Sequence, residues 1–310
     1  EFKGPDARKF LDHIMAGRLP KPGRISLSPM LSYRGKLCGD LTVACLDENE
    51  FMVFGSGAAQ EMHRRWFESH IDKFNLSYSN RSDEYHGLSI AGPNSRKVLE
   101  KIVRDDVSNE KFKFRDSRRM FVGGVPAIIN RISFTGELGY EIYVAPHYQL
   151  KLYEELMEAG KEFNIKPFGG RALMSMRLEK NWGAWTLDYR PDFTAKETGL
   201  DAFINWDKEF IGKESAQKEN SSNKLVPLIV ETNEIDVTNN EAVLNGDQSI
   251  GYVTSGGFAH FVNKSVAFTF VDQKNINSEN KIQVEINGDL FNCSIIKEPL
   301  YDPSGQKMRS

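Results

Sequence analysis

Long apolar runs are missing from this 310-residue chain. None approaches the roughly 18 residues a membrane-spanning helix needs, so no membrane partner is expected. Cysteine is sparse: Cys38, Cys45 and Cys293 show neither CxxC spacing nor an even count. That argues against a disulfide scaffold and fits reduced thiols in a cytosol or a mitochondrial matrix. The six histidines lack metal-ligand spacing. His63 and His70 stand seven apart on an expected helix, with no acidic or cysteine partner beside them, so no zinc or iron site is expected. Charge of one sign is also lacking. The 40 basic and 43 acidic residues give a net charge of −3 without a basic stripe, and nucleic acid is not an expected partner. There is no starting methionine and no targeting segment. The chain opens on Glu1-Phe-Lys-Gly-Pro-Asp6 as though inside a strand, and one part of a larger polypeptide is the expectation.

What is present suffices for a substantial core and two domains, with 40% hydrophobic residues. An internal repeat stands out. Phe2-Lys-Gly-Pro-Asp-Ala-Arg-Lys-Phe-Leu-Asp-His-Ile14 matches Ile90-Ala-Gly-Pro-Asn-Ser-Arg-Lys-Val-Leu-Glu-Lys-Ile102. Each copy reads as a strand end, a Gly-Pro turn, an Asp or Asn near the helix N-cap and an amphipathic helix. Two related α/β units imply a pseudo-symmetric core. Between them, Gly39–Leu46 and Phe51–Phe54 read as a strand pair joined by a polar turn. Helices are expected at about 58–70, 148–163 and 171–182. From about Leu225 the texture changes to short β-runs at 225–230, 249–254, 265–271 and 281–286, a small β-rich domain. The polar stretch Lys218–Lys224 is the expected boundary.

The segment Arg131-Ile-Ser-Phe-Thr-Gly-Glu-Leu-Gly-Tyr-Glu-Ile-Tyr-Val144 reads as strand, tight turn and strand. Gly136 and Gly139 let the backbone turn and let a flat ligand approach. Glu137 and Glu141 lie in or after the corner, among the rings of Phe134, Tyr140 and Tyr143. A carboxylate among aromatic faces suits a planar heterocycle with an amidine-like edge, because it accepts two parallel hydrogen bonds while rings cover the plane. An ordinary hairpin with solvated glutamates is the alternative. Phe54-Gly-Ser-Gly-Ala-Ala-Gln60 imitates a dinucleotide fingerprint, but Gln60 replaces the third glycine and a hairpin-length turn replaces the βαβ crossover.

These segments together resemble the glycine-cleavage T-protein (aminomethyltransferase) family, in particular the C-terminal folate domains of bacterial dimethylglycine and sarcosine dehydrogenases. The resemblance runs from Gly4-Pro5 to Glu298-Pro-Leu-Tyr-Asp-Pro-Ser-Gly305. It implies an α+β protein with the aminomethyltransferase folate-binding fold: a pseudo-symmetric, multi-lobed α/β region over residues 1–218 and a barrel-like, β-rich domain over 224–310. The implied cofactor is tetrahydrofolate. The implied chemistry is capture of an iminium or formaldehyde unit as 5,10-methylenetetrahydrofolate. The small, amine-derived one-carbon donor would come from an N-terminal FAD domain or subunit that oxidises an N-methyl amino acid. A folate-dependent demethylase acting on a sulfonium, a stand-alone glycine-cleavage enzyme and a non-catalytic folate-binding module are the alternatives.

The resemblance also assigns roles. Asp40, by itself a turn residue at the head of an apolar strand, matches the acid placed beside the folate nitrogens, where a carboxylate can take a proton and stabilise a cationic iminium. The T-protein has two adjacent acids there, whereas Gly39 stands in for the first, as in the dehydrogenase branch. Glu141 matches the glutamate on the pteridine edge, and Phe134 holds a position usually tyrosine. Arg177, in Met174-Ser-Met-Arg-Leu-Glu-Lys180, matches a folate-pocket arginine; a structural Arg–acid pair is its alternative. Trp182, Trp185 and Tyr189 are expected as aromatic walls or core, and Glu197 matches a further pocket position. Thr254-Ser-Gly-Gly257 reads as a structural turn.

Overall fold

The computed structural model describes residues 1–232, 235–276 and 281–310. The first half runs through β1 (Phe2–Lys3), α1 (Ala7–Ile14), β2 (Arg24–Leu31), β3 (Leu37–Asp47), β4 (Glu50–Phe54), α2 (Gln60–Glu68) and β5 (Ser77–Tyr78). The second copy of the repeat opens β6 (His86–Ala91), α3 (Ser95–Ile102), β7 (Ser117–Val122), β8 (Val125–Asn130), β9 (Gly139–Val144) and α4 (Gln149–Gly160). Then come α5 (Gly170–Glu179), α6 (Ala195–Thr198) and α7 (Lys213–Lys218). The last stretch is β10 (Asn223–Val230), β11 (Ala242–Asn245), β12 (Gln248–Ala259), β13 (Lys264–Asp272), β14 (Ile282–Ile286), β15 (Asp289–Ile295) and α8 (Gln306–Arg309). No helix among the described residues is long and apolar enough to cross a membrane.

One compact unit comprises Glu1–Ser28, Leu41–Phe168 and Ser304–Ser310. Its antiparallel sheet, ordered β6-β9-β8-β7, shares a core with α3 and α4 built on Leu99, Phe112, Val122, Ile129, Tyr140, Ile142 and Leu152. A second sheet has the order β2-β3-β4-β1-β5.

The repeat is realised almost angle for angle. Gly4 and Gly92 adopt φ of +134° and +129°, a region closed to side-chain-bearing residues. Asp6 and Asn94 follow at the N-caps with φ of −99° and −100°. Neither side chain caps its helix; the Asp6 carboxylate instead accepts the Asn75 amide at 2.8 Å.

The other unit comprises Pro29–Asp40 and Gly169–Pro303. Its strands close into a six-stranded barrel, β10-β13-β12-β11-β14-β15, around Val230, Val243, Val253, Ala267, Val284 and Ile286. Closure leaves no unpaired edge to recruit another chain. Leu178 of α5 joins Val266, Phe268 and Ile296 in a separate cluster. The four expected β-runs are all strands. β11 and β15 complete the barrel and were not foreseen. Thr254–Gly257 is not a turn: it lies inside β12, beside an irregularity in register between Val253 and Ser255.

Candidate functional site

The expected tight turn is wider than its sequence suggested. β8 stops at Asn130 and β9 starts at Gly139, leaving Arg131–Leu138 as a loop between two paired strands. Ser133 and Thr135 hydroxyls meet at 2.8 Å, and the Glu137 amide donates to Thr135 Oγ1 at 3.2 Å. Gly136 turns the chain with φ of +85°. Gly139 serves a close contact within the loop: a Cβ there would meet Ser133 Cβ at 2.8 Å. Arg131 is fully buried and donates to Asn109 Oδ1 at 2.7 Å and to the Phe112 carbonyl. Phe134 is half-buried in this loop.

Strand alternation then sorts β9 into two faces. Tyr140, Ile142 and Val144 point into the core, where Tyr140 stacks on Phe112 with centroids 5.9 Å apart. Tyr140 is therefore a core ring and not a wall beside Glu141. On the opposite face, Tyr143 Oη donates to Glu141 Oε2 at 2.7 Å, and the Phe54 ring lies 4.4 Å from that of Tyr143. Burial pushes the Glu141 carboxyl above the usual carboxylate range, against the opposing pull of the Tyr143 bond. Among the described residues, Tyr143 is the one hydrogen-bond donor to this carboxylate. A cavity of about 250 Å³ adjoins Tyr143, with Leu41, Phe54, Gly55, His63 and Tyr85 in its wall. The glycine run after Phe54 lines this cavity, and β3 and β4 form an antiparallel hairpin as the sequence implied.

The second compact unit holds the remaining candidates. Asp40 ends β3's share of that unit and is half-buried. Burial pushes its carboxyl up to about 7, opposed only by a bond from its own amide. A carboxyl titrating near neutrality can both take and release a proton under working conditions.

Arg177 is 1% exposed and donates to Asp188 Oδ2 at 2.6 Å and to the Trp182 carbonyl at 3.0 Å. Its guanidinium also lies 5.2 Å from the centre of the Phe268 ring. This is the structural pairing set beside the ligand role above. Asp188, which sequence reasoning missed, is a hub. Its Oδ2 also accepts the Ala184 amide at 2.9 Å, and its Oδ1 accepts the hydroxyls of Ser255, at 2.6 Å, and Thr254. The one available signal was that a buried arginine demands a buried acid.

Trp185 is buried and Trp182 half-buried. Tyr189 rests against Gly183, whose amide donates to Tyr189 Oη at 3.2 Å. Glu197 closes a capping box on α6: its carboxylate accepts the Thr194 amide at 2.7 Å, and Thr194 Oγ1 accepts the Glu197 amide at 3.1 Å. Lys36 Nζ stands 3.8 Å from the same carboxylate. Among the described residues no cluster of three or more His, Cys, Asp or Glu is placed to hold a metal ion.

Comparison with known proteins gives two family matches: the GCVT N-terminal domain over residues 1–208 and the glycine cleavage T-protein C-terminal barrel domain over residues 223–302. The mitochondrial dimethylglycine dehydrogenase of Homo sapiens is 35% identical over 307 residues, which cover 96% of this chain and 35% of that one. The chain thus spans about a third of that relative's length. The aminomethyltransferase of Caldanaerobacter subterraneus subsp. tengcongensis is 30% identical over 312 residues, 98% of this chain and 83% of its own. In fold, the chain is similar to the glycine cleavage system aminomethyltransferase T from Bartonella henselae, with a TM-score of 0.86 at 22% identity, covering 97% of this chain and 83% of that one.

Proposed function

The chain belongs to the glycine cleavage T-protein family, and from that premise we propose that it binds tetrahydrofolate and loads it with a one-carbon unit. The observation that carries this reading is Glu141, a desolvated carboxylate braced by Tyr143, with acceptor capacity still open. A pteridine edge presents the parallel N–H donors such a group lacks. The residues fit the ligand in that respect, and Phe134 offers a ring face near the same loop.

Tetrahydrofolate, when bound, supplies the amine nitrogens that take up the one-carbon unit. Asp40 receives the proton released by the attacking amine, and its negative charge stabilises the iminium or formaldehyde-derived cation beside it. Its elevated proton affinity suits the first task. Arg177 and Glu197 act by fixing the Asp188 loop and the α6 cap, while Trp182 contributes a half-buried ring.

In a longer polypeptide, an upstream FAD domain would oxidise dimethylglycine or sarcosine and deliver the iminium. The relatives about three times as long support that reading. Their mitochondrial naming likewise favours a matrix location in a eukaryote, and the cytoplasm otherwise.

The test is calorimetric titration of the purified chain with tetrahydrofolate under reducing, anaerobic conditions, beside Glu141→Ala. Saturable binding that the variant loses supports the site. A formaldehyde-transfer assay with Asp40→Asn then separates catalysis from binding. A folded wild-type chain that does not bind overturns the proposal for this chain.

A further inference from the structure

One row of polar side chains crosses the sheet β6-β9-β8-β7 on the face away from α3 and α4. Strand register puts Ser89 opposite Glu141, Glu141 opposite Asn130 and Asn130 opposite Ser117. The flanking pair Ile129 and Ile142 belongs to the core on the helix side, so strand alternation sends Asn130 and Glu141 together the other way. Asn130 is 0% exposed, and Ser117 Oγ donates to its Oδ1 at 2.7 Å. Its Nδ2 is buried and, among the described residues, has no acceptor. A donor shut away from water without a partner loses its hydration and gains nothing for it, so its presence calls for a reason.

The neighbour across the next strand pair is an acceptor. Directly opposite residues on antiparallel strands hold their Cβ atoms about 4.5–5.5 Å apart, within reach of an amide and a carboxylate by side-chain rotation alone. Asn130 Oδ1 is turned to Ser117 on β7, which leaves Nδ2 on the branch of the amide turned away from that strand. Exchanging the two ends of the amide would set an oxygen towards the carboxylate instead of a donor. Tyr143 comes at Glu141 from the other side. Its ring lies over Gly87 of β6, where an added Cβ would fall 2.9 Å from Tyr143 Cε1, and its hydroxyl donates to Glu141 Oε2 at 2.7 Å. Among the described residues nothing donates to Glu141 Oε1.

We propose that Asn130 is a positioning residue for Glu141: its Nδ2 donates to Oε1 when Glu141 carries its charge, and with Tyr143 on Oε2 it holds the carboxylate ready for the paired N–H groups of a pteridine edge. This rests on the reading of Glu141 as the folate-binding carboxylate. Each carboxylate oxygen has room for two donors, so both keep a site for the ligand. A donor on each side fixes the rotation of the carboxylate group, a freedom that a bidentate partner would otherwise have to freeze. The bond also favours the anion, against the burial that raises the Glu141 carboxyl. Tyr143 is the ionisable group acting on Glu141. Asn130 and Ser89 face it from β8 and β6 without charge, and Arg119, in the next row on β7, is bound to Glu50 at 2.8 and 3.0 Å. Phe54 and the Tyr85 phenol pack against the same cluster as Tyr143.

Infrared difference spectroscopy of the whole chain across pH, with Glu141→Gln identifying the Glu141 carboxyl band, reads the pair without a ligand. Asn130→Leu is close in volume and removes the donor, so the Glu141 midpoint should rise by about one pH unit, the worth of one hydrogen bond to a charge. Calorimetric titration with tetrahydrofolate should show affinity about tenfold weaker at neutral pH, with the acid limb of the affinity profile moved to higher pH. A merely structural asparagine would change the denaturant midpoint and leave both pH profiles in place. Ser117→Ala combined with Asn130→Leu removes the bonded pair as a whole and is the second variant should the single change prevent folding. An unmoved Glu141 midpoint overturns the proposal, and a moved midpoint with unchanged affinity overturns its role in binding. A folded wild-type chain that does not bind tetrahydrofolate would instead overturn the functional reading, leaving the Asn130–Glu141 pair to be judged by the band alone.

Discussion

Tyr143 donates its phenol proton to Glu141 at 2.7 Å from two residues further along the same strand. Period-two geometry puts both side chains on one face of β9, so the contact is local and pre-formed. A carboxylate already desolvated and oriented loses little further on binding a ligand. Glu141→Ala should therefore weaken tetrahydrofolate binding roughly ten- to a hundredfold, the range for a lost charge-assisted bond. Tyr143→Phe should weaken it by a smaller factor, and calorimetry would rank the two. Equal affinity for wild type and Glu141→Ala would remove Glu141 from the site.

The pH dependence of stability follows from Asp40, whose carboxyl rises from 3.8 to about 7 on folding. Below pH 4 both folded and unfolded chains hold the proton. Between pH 4 and 7 the unfolded chain has released it while the folded chain keeps it, so stability falls as pH rises. The slope approaches about 1.4 kcal/mol per pH unit. Above pH 7 the contribution is gone, and Asp40→Asn should be more stable there than the wild type in urea unfolding. Glu141 shifts in the same direction through burial and adds to the trend. Transfer activity should run the other way, rising through pH 7 as the Asp40 carboxylate forms.

Arg177→Met should destabilise the protein by about 3–5 kcal/mol, because it leaves the Asp188 charge buried without its cation. Adding Asp188→Leu should restore part of that loss, since the pair is then removed as a whole. Denaturant midpoints of the single and double variants decide the matter. A double variant no better than the single would show that the hydroxyls and amides on Asp188 matter more than its charge.

Thr194→Ala should cost about 1 kcal/mol, the usual price of an N-cap, because the capping box on α6 loses one of its reciprocal bonds. Tetrahydrofolate affinity should change little. A large loss of affinity without a change in thermal midpoint would place Thr194 or Glu197 in direct contact with the ligand.

Much of the fold was legible where local chemistry decides the outcome. Gly4-Pro5 and Gly92-Pro93 announce the same corner twice, and both copies build it. The helix at 149–160 and the barrel strands β10, β12, β13 and β14 followed from their apolar spacing. β11 has four residues, too few to read as a strand, whereas β15 carries a period-two alternation of Phe291, Cys293 and Ile295 with polar neighbours that does mark one. Glu141 was readable because its neighbours in sequence are its neighbours in space. Asp188 was not, since its partners sit in α5 and β12. Tyr140 lies in the core, on the face of β9 away from Glu141, which the expected corner could not specify.

The Asp188 hub also joins parts of the chain that are synthesised far apart in time. Arg177 lies 11 residues before Asp188, but Thr254 and Ser255 lie 66 and 67 residues after it. A nascent chain therefore exposes the Tyr189 loop long before β12 leaves the ribosome, and until then two of the Asp188 donors do not exist. Residues 1–208, although matched as a domain in their own right, end short of the strand that locks this loop. Translation must run through β12 before the Asp188 carboxylate has all of its donors, so a chain ending before that strand would lack the Thr254 and Ser255 hydroxyls.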